Sequence, residues 1–420
     1  MELFKSTNYD FLGKKWPFII ASVILSVAGI GSIIVRGGLN YGIDFKGGAQ
    51  VTVKFASTPQ LDKIRAVMQQ SPKIHGGVSV QNFTGGTQAN TVLIETEIQE
   101  ERQLNINRQA MEEVLRNSFG QPGNPKLDLN NSSADALASR LRDALARNNV
   151  PMNETQLQQL VKDVLAYRDD NASGLVTNFQ QLSSVAGMNS GIMNALQQEC
   201  FLGAYHVGQV QMVGPKVGAQ LRSKAVLATL YALAGMLAYI AFRFEWIYGL
   251  GAVIACFHDT IITIGLFSIF NQEISMTVIA ALLTLVGYSM NDTIVIFDRI
   301  RENLKLSRRQ PLEGVMNRAV NQTLSRTVMT SGLTFLTVIA LFAFGGPVLH
   351  GFSFALVCGI IVGTYSSVFV ASPIVLFWHN YADRPKRPSG LGGGSAARTT
   401  DAARTGGAKP VKGEGRKVVK

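Results

Sequence analysis

Six long apolar stretches, separated by polar segments, divide the 420-residue sequence. They predict membrane-spanning helices near 17–35, 224–242, 247–270, 274–297, 327–344 and 351–378. Runs of about 20 apolar residues are long enough to cross a hydrocarbon core of about 30 Å. The expected fold class is therefore an α-helical multi-pass membrane protein with six transmembrane helices, five of them within 223–379.

The segment 36–222 is polar enough to form a folded domain outside the membrane. Alternating apolar and polar residues, or apolar residues at helical spacing, predict six elements. These are strands near 49–56, 78–83, 91–97 and 205–213, and helices near 61–68 and 101–118. Their order is that of a split βαβ, or ferredoxin-like, α+β domain.

Residues 120–200 interrupt this plan and predict a helical insertion. Helical patterns occupy about 133–148 and 153–168, and Asn153 has the residue type and position of an N-cap for the second helix. We interpret the insertion as separable from the sheet core.

Basic residues indicate the orientation of the chain in the membrane. The segment 298–326, which joins the fourth and fifth apolar stretches, contains seven of them: Arg299, Arg301, Lys305, Arg308, Arg309, Arg318 and Arg326. By the positive-inside rule this loop is cytoplasmic. Counting spans from it places 1–16 and 380–420 in the cytoplasm and 36–222 outside. Apolar residues at helical spacing between Leu312 and Val320 also predict an amphipathic helix along the membrane surface.

The formal net charge of +11 lies largely in the tail, where ten Lys and Arg residues face three Asp and Glu residues between Tyr381 and Lys420. This favours a disordered basic tail near anionic lipid over a nucleic-acid-binding surface. Small residues at 26–28 would suit a signal peptidase. The apolar run continues to Val35, however, so we expect an uncleaved anchor.

The sequence shows no phosphate-binding glycine loop and no serine in a nucleophile elbow. Its five histidines, at 75, 206, 258, 350 and 379, lack metal-ligand spacing. We therefore expect no cofactor, metal or enzymatic site, and an energy source in the membrane or a partner.

Asp292 is the first candidate for chemistry, because it lies within a predicted span, about 9–10 Å from the charged end at Asp298. A charge at the centre of a membrane helix costs about 2.5–3.5 kcal/mol on insertion scales. Arg326 enters the next span from the same side and is the natural counter-ion. The pair is either a proton relay or a static salt bridge between helices.

Polar neighbours accompany this aspartate. Ser289 and Thr293 could donate hydrogen bonds to it, and Asn291 is adjacent. His258 and Asp259, in the middle of the third span, are a second candidate relay. They could equally be a satisfied polar pair that joins helices.

Five motifs resemble the SecD/SecF family of protein-export membrane proteins, and the last three resemble its SecF branch. They are YGIDFKGG (41–48), VGPKVGAQL (213–221), GYSMNDTIVIFDRIREN (287–303), QTLSRTVMTSG (322–332) and FGGPVLHGFS (344–353). The insertion at 120–200 departs from the compact outer domain of this family.

This resemblance implies a resistance–nodulation–division fold and a bacterial inner-membrane location. It implies a heterocomplex with SecD, association with the SecYEG channel and YajC, and unfolded exported polypeptide as cargo. The family's membrane aspartate and arginine, which support release of exported chains by the proton motive force, correspond to Asp292 and Arg326. Motif residues at the two crossings into the outer domain are hinge candidates or tight turns: Asp44, Phe45, Gly47, Gly48, Gly214 and Pro215.

Two other functions fit the same features. A half-subunit of a proton-driven small-molecule or lipid exporter would use similar proton chemistry, and a requirement for a SecD-like partner would distinguish it. A non-transporting scaffold would tolerate the loss of the Asp292 carboxyl group.

Overall fold

The structure, a computed structural model, describes residues 7–83, 90–148, 150–243, 246–306 and 310–382. Nearly all of the predicted basic tail, from residue 383 onward, lies outside these ranges. Within them, six helices are long and apolar enough to cross a membrane, as the sequence predicts. The first is α1, Lys15–Val35.

A four-stranded sheet follows α1. After the short helix α2 (Ile43–Lys46), its elements are β1 (Gly48–Phe55), α3 (Leu61–Gln69), β2 (Val78–Phe83), β3 (Thr91–Glu97) and α4 (Gln103–Phe119), with a last strand, Tyr205–Val213, numbered β6 because an insertion precedes it. All pairs are antiparallel, in the order β2–β3–β1–β6. This is the split βαβ arrangement, so the predicted ferredoxin-like domain is confirmed.

The two faces of this sheet differ as its alternating sequence predicts. Val51 and Val53 of β1 are fully buried, in one cluster with Ile64 of α3 and Met111 of α4. The opposite face is polar, and Gln50 lines a cavity between the sheet and the ends of the membrane helices. The domain therefore stands on the helices with its polar face towards them.

The insertion folds around its own apolar core. Its elements are β4 (Leu127–Asp128), α5 (Ala134–Arg147), α6 (Glu154–Ala166), α7 (Ser190–Glu199) and β5 (Cys200–Phe201), which pairs in parallel with β4. Asn153 caps α6 as predicted, accepting a hydrogen bond from the Gln156 backbone N–H at 2.8 Å. Asn131 bonds to the backbone of Tyr205 and Val207 at 2.9 Å each, which ties the insertion to β6.

The remaining membrane helices follow β6. They are α8 (Pro215–Arg243), α9 (Trp246–Ile269), α10 (Met276–Leu306), α11 (Leu312–Phe344) and a last helix in which α12 (Gly346–Ser366) continues through the π-helical turn Ser367–Ala371 into α13 (Ser372–Ala382). Half of the residues in the apolar windows of α9 and α10 are buried, and 56% in that of the last helix, against 11% for α1 and α8 and 17% for α11. The helices α9, α10 and α12 thus form the interior of the bundle.

The connection between α10 and α11 differs from the prediction. Instead of a loop at 298–326 with a separate surface helix, α10 continues to Leu306 and α11 is unbroken from Leu312. Apolar residues of the predicted surface helix are buried instead: Val315 is inaccessible, and Met316, Ala319 and Val320 belong to one apolar cluster with Leu12. The surface-helix prediction was wrong because periodicity does not distinguish a face that packs on protein from one that faces lipid.

Candidate functional site

Asp292 lies on the inner side of α10 and is only 4% exposed. Its hydrogen-bond donor is the hydroxyl of Ser331 on α11, 3.2 Å from Oδ2. A protonated carboxyl group in this position is neutral. Ionising it costs free energy, because the negative charge is buried. The geometry therefore allows Asp292 to bind and release a proton.

Arg326 lies on the same helix as Ser331, about 7.5 Å closer to the N-terminus of α11 along the helix axis. Its side chain is exposed on the peripheral helix α11 and makes no ion pair with Asp292 in the described part of the chain. The arginine acts on the carboxylate only through its electrostatic field. The structure thus brings the predicted pair close together without joining it.

The predicted polar neighbours of Asp292 have other partners. Ser289 donates to Oδ2 of Asp259 at 2.5 Å, and the hydroxyl of Thr293 donates to the Ser289 carbonyl oxygen at 3.1 Å. Asn291 is exposed on the other side of α10. The expected hydrogen bonds from Ser289 and Thr293 to Asp292 are therefore not formed, because Ser289 faces α9 and Thr293 bonds to its own helix.

His258 and Asp259 form the second polar cluster. Nδ1 of His258 lies 2.9 Å from Oδ1 of Asp259, which is 1% exposed. The other ring nitrogen of His258 is buried without a hydrogen-bond partner among the described residues. Because Ser289, which bonds to Asp259, is three residues or about 4.5 Å along α10 from Asp292, the two carboxyl groups occupy neighbouring levels of α9 and α10.

Sequence reasoning missed Ser331, Tyr365 and Ser22. The ring of Tyr365 on α12 lies edge-on to His258 with ring centres 6.1 Å apart, and its hydroxyl oxygen accepts a hydrogen bond from Ser22 of α1 at 3.1 Å. Each is a hydroxyl within an apolar stretch, which is the only signal that could have marked it. The second cluster thus extends across four helices, α1, α9, α10 and α12.

The two crossings between membrane and sheet domain meet at the family motifs. Gly47 has φ of +80°, and a Cβ there would lie 2.5 Å from Cα of Pro215. A Cβ on Gly48 would lie 2.2 Å from the Thr96 carbonyl oxygen, and one on Gly214 would lie 3.3 Å from Oε1 of Glu101. The motif glycines therefore permit a backbone contact between the entry and exit of the domain.

Asp44 and Phe45 attach this junction to the membrane helices. Oδ2 of Asp44 accepts a hydrogen bond from the Met276 backbone N–H at 2.9 Å, at the N-terminus of α10. Phe45 is 6% exposed and packs with Phe267 of α9. The helix that carries Asp292 is thus held at its N-terminal end by the motif that opens the sheet domain.

Two family models match this sequence. "Protein export membrane protein SecD/SecF, C-terminal" matches residues 193–381, which include Asp259, Asp292 and Gly214, and "SecD/SecF GG Motif" matches residues 31–59, which include Asp44, Gly47 and Gly48.

Two solved structures share the fold. SecDF from Thermus thermophilus, described as a translocon-associated membrane protein, is 28% identical with a TM-score of 0.59, and the alignment covers 89% of this chain and 39% of that one. A SecDF structure in a super-membrane-facing form is 29% identical with a TM-score of 0.51, covering 90% and 40%. The chain spans about two fifths of the length of these SecDF chains.

Full-length relatives define the group more closely. Protein translocase subunit SecF of Koribacter versatilis is 47% identical over 392 residues, which are 91% of this chain and 94% of the relative. That of Calditerrivibrio nitroreducens is 37% identical over 378 residues, 89% and 96% of the two chains. The chain therefore belongs to the SecF group of the SecD/SecF family of protein-export membrane proteins.

Proposed function

We propose that the chain is the SecF-type subunit of a Sec protein-export complex and uses the proton motive force, together with SecD, to promote translocation and release of exported proteins. The main support is the environment of Asp292. This carboxyl group is buried on an inner helix, accepts a hydrogen bond from a hydroxyl group, and has no paired cation in the described chain. Such a group is suited to alternate between protonated and ionised states.

The available energy matches this role. A membrane potential of 100 mV is worth about 2.3 kcal/mol for each charge moved. Because Asp44 caps α10, protonation of Asp292 would act on a helix attached to the sheet domain. His258 and Asp259 would form a second station of the same relay.

The proposed partners are SecD, the SecYEG channel, YajC, the unfolded exported polypeptide and membrane lipid. SecD is favoured because solved SecDF chains contain more than twice the length that this chain matches. The proposed location is the bacterial inner membrane, with both termini cytoplasmic and the sheet domain outside. The basic residues at the α10–α11 connection support this orientation.

Replacing Asp292 with Asn tests the proposal, because it retains size and polarity but removes the titratable proton. We expect Asp292→Asn to insert stably, bind SecD and lose the export that depends on the proton motive force. Arg326→Ala, which removes the positive charge acting on Asp292, should also lose it. The measurement is export of a secretory protein in cells depleted of the native chain, normalised to membrane protein level.

Asp298→Asn is the matched control, since this exposed carboxyl group lies on the same helix. It should export normally. Near-normal export per molecule in Asp292→Asn would instead show that the aspartate has a structural role, and would contradict its assignment as a proton relay.

A further inference from the structure

The connection between α9 and α10 is bonded to the entry into the sheet domain. The Gly42 backbone N–H donates to the Ile274 carbonyl oxygen at 3.0 Å, and the Ile274 N–H donates to the Asn40 carbonyl oxygen at 2.8 Å. With the Asp44 cap on α10, these bonds make one junction of the motif segment and the two inner helices.

Two carboxyl groups meet across this junction. Glu273, in the α9–α10 connection, lies within hydrogen-bonding range of Glu95 on β3. Glu95 is 8% exposed and accepts a hydrogen bond from Nε2 of Gln50 at 2.5 Å. A Cβ on Gly42 would lie 1.7 Å from Oε1 of Glu273, so the glycine makes the space that this carboxyl group occupies.

Charged groups from each neighbouring element face the pair. Asp44 of α2 and His350 of α12 line the same cavity of about 180 Å³ as Glu273. Lys46 is the nearby cation, but its Nζ pairs with Glu97 of β3 at 2.6 Å. The lysine closest to the pair is thus already engaged by another carboxylate, and Asp44 adds a further negative charge beside Glu273.

Burial, followed by the charge and hydrogen bond of Glu95 and the charge of Asp44, raises the pKa of Glu273 to about 9, against the opposing effect of Lys46. Two carboxyl groups at hydrogen-bonding range hold one proton between them, whereas two carboxylates repel. The docked arrangement therefore binds more protons than an open one. Docking is strongest at low pH, weakens as the pH rises from the ordinary glutamate range to the raised pKa of Glu273, and changes no further above it.

We propose that Glu273 is a further proton-carrying residue of the transport cycle, and that the proton it shares with Glu95 latches the sheet domain onto the helix ends. Loss of this proton releases the domain. The latch lies at the start of α10, about 24 Å along the helix from Asp292, so one helix connects it with the relay. Its place in the cycle rests on the proposed function, but pH-dependent docking does not require Asp292.

Spin labels at Ala66 on α3 and Ala280 on α10, both exposed positions, report the distance between the domain and the helices. The full chain, with its three native cysteines replaced by alanine, is placed in lipid nanodiscs without a proton gradient. Between pH 6 and pH 10 we expect the short distance to give way to longer ones. Each pH unit between the ordinary glutamate pKa of about 4.5 and the raised pKa of Glu273 should lower the docked-to-open ratio by up to tenfold, and the ratio should stay constant above the raised pKa.

Glu273→Gln should keep the short distance at both pH values, because a neutral amide can still donate to Glu95 and cannot ionise. Glu113→Gln, at an exposed carboxyl group of the same domain paired with Lys73, should respond as the unmodified chain does. A pH-independent distance in the unmodified chain, or a pH response that survives in Glu273→Gln, would overturn the latch.

The same measurement in Asp292→Asn separates the two proposals. If docking still responds to pH there while export is lost, the latch and the relay are distinct parts of one cycle. A latch that fails while Asp292→Asn still abolishes export leaves the proposed function intact. A latch that responds to pH while Asp292→Asn exports normally supports the latch without the relay.

Discussion

Gly47 determines how closely the two crossings into the sheet domain approach each other. Alanine there would adopt a left-handed φ, which costs about 1–2 kcal/mol. Its Cβ would also meet Cα of Pro215 at 2.5 Å, an overpacking that costs about 1–3 kcal/mol more. We expect Gly47→Ala to lower the thermal midpoint and the membrane level of the protein.

Gly37→Ala is the control for this prediction, since Gly37 has φ of +74° with nothing within 4 Å of its Cβ position. It carries only the conformational cost and should be the milder variant when the thermal midpoints of purified proteins are compared. Equal midpoints for the two variants would show that the contact with Pro215 is not required.

The sequence predicts which polar residues lie within the membrane helices but not their contacts. Asp292 was found because a carboxyl group in an apolar stretch is costly, and this needs no knowledge of packing. The sequence does not predict that Ser331 donates to Asp292, and it predicts a bond from Ser289 to Asp292 where the structure has one to Asp259. The reason is that the rotation of α10 against α9 and α11 depends on tertiary packing. Glu273 was missed because it occurs in a short polar connection, where acidic residues are ordinary.

Among the elements, the sheet domain was the most predictable from sequence. The alternation of apolar and polar residues in β1, with the order of the strands and helices of the domain, is sufficient to predict the fold. The alternation is clear because one face of the sheet is covered by two helices and the other is polar. The ends of α10 and α11 were not predictable from hydropathy, because both helices continue beyond the apolar stretch as charged or protein-packed turns.

The insertion should be removable as a unit. It has its own core and lies between α4 and β6, which short linkers join in ordinary split βαβ domains. Replacing 122–203 with a short Gly–Ser linker should leave a membrane-inserted chain that still binds SecD. Its stability should fall, because the two Asn131 hydrogen bonds to β6 are lost at about 1 kcal/mol each.

Asn131→Ala in the full chain removes only these two hydrogen bonds, so its effect on stability can be compared with that of the whole deletion. Thermal midpoints and SecD co-purification of the two variants provide the comparison. If the deletion abolishes membrane accumulation while Asn131→Ala does not, the insertion is an integral part of the fold.

At the scale of the whole molecule, both polar clusters and the carboxyl junction involve the interior helices. Asp259 and Asp292 occupy α9 and α10, and Glu273 lies between these helices, while α1, α8 and α11 surround them with mainly exposed apolar faces. Such faces are suited to lipid or to the membrane helices of a partner. The proposed proton-carrying residues and the attachment of the sheet domain are therefore concentrated along one pair of helices.

The orientation of this molecule in the membrane can be tested with single cysteines in a background in which Cys200, Cys256 and Cys358 are replaced by alanine. Gly123, at the start of the insertion, and Gln310, between α10 and α11, are both exposed. Because the basic connection should remain in the cytoplasm, a membrane-impermeant maleimide added to intact spheroplasts should label Gly123→Cys and spare Gln310→Cys. Permeabilised cells should label both, which controls for reactivity. Labelling of Gln310→Cys alone in spheroplasts would place the sheet domain in the cytoplasm, where it could not act on exported chains after they cross the membrane.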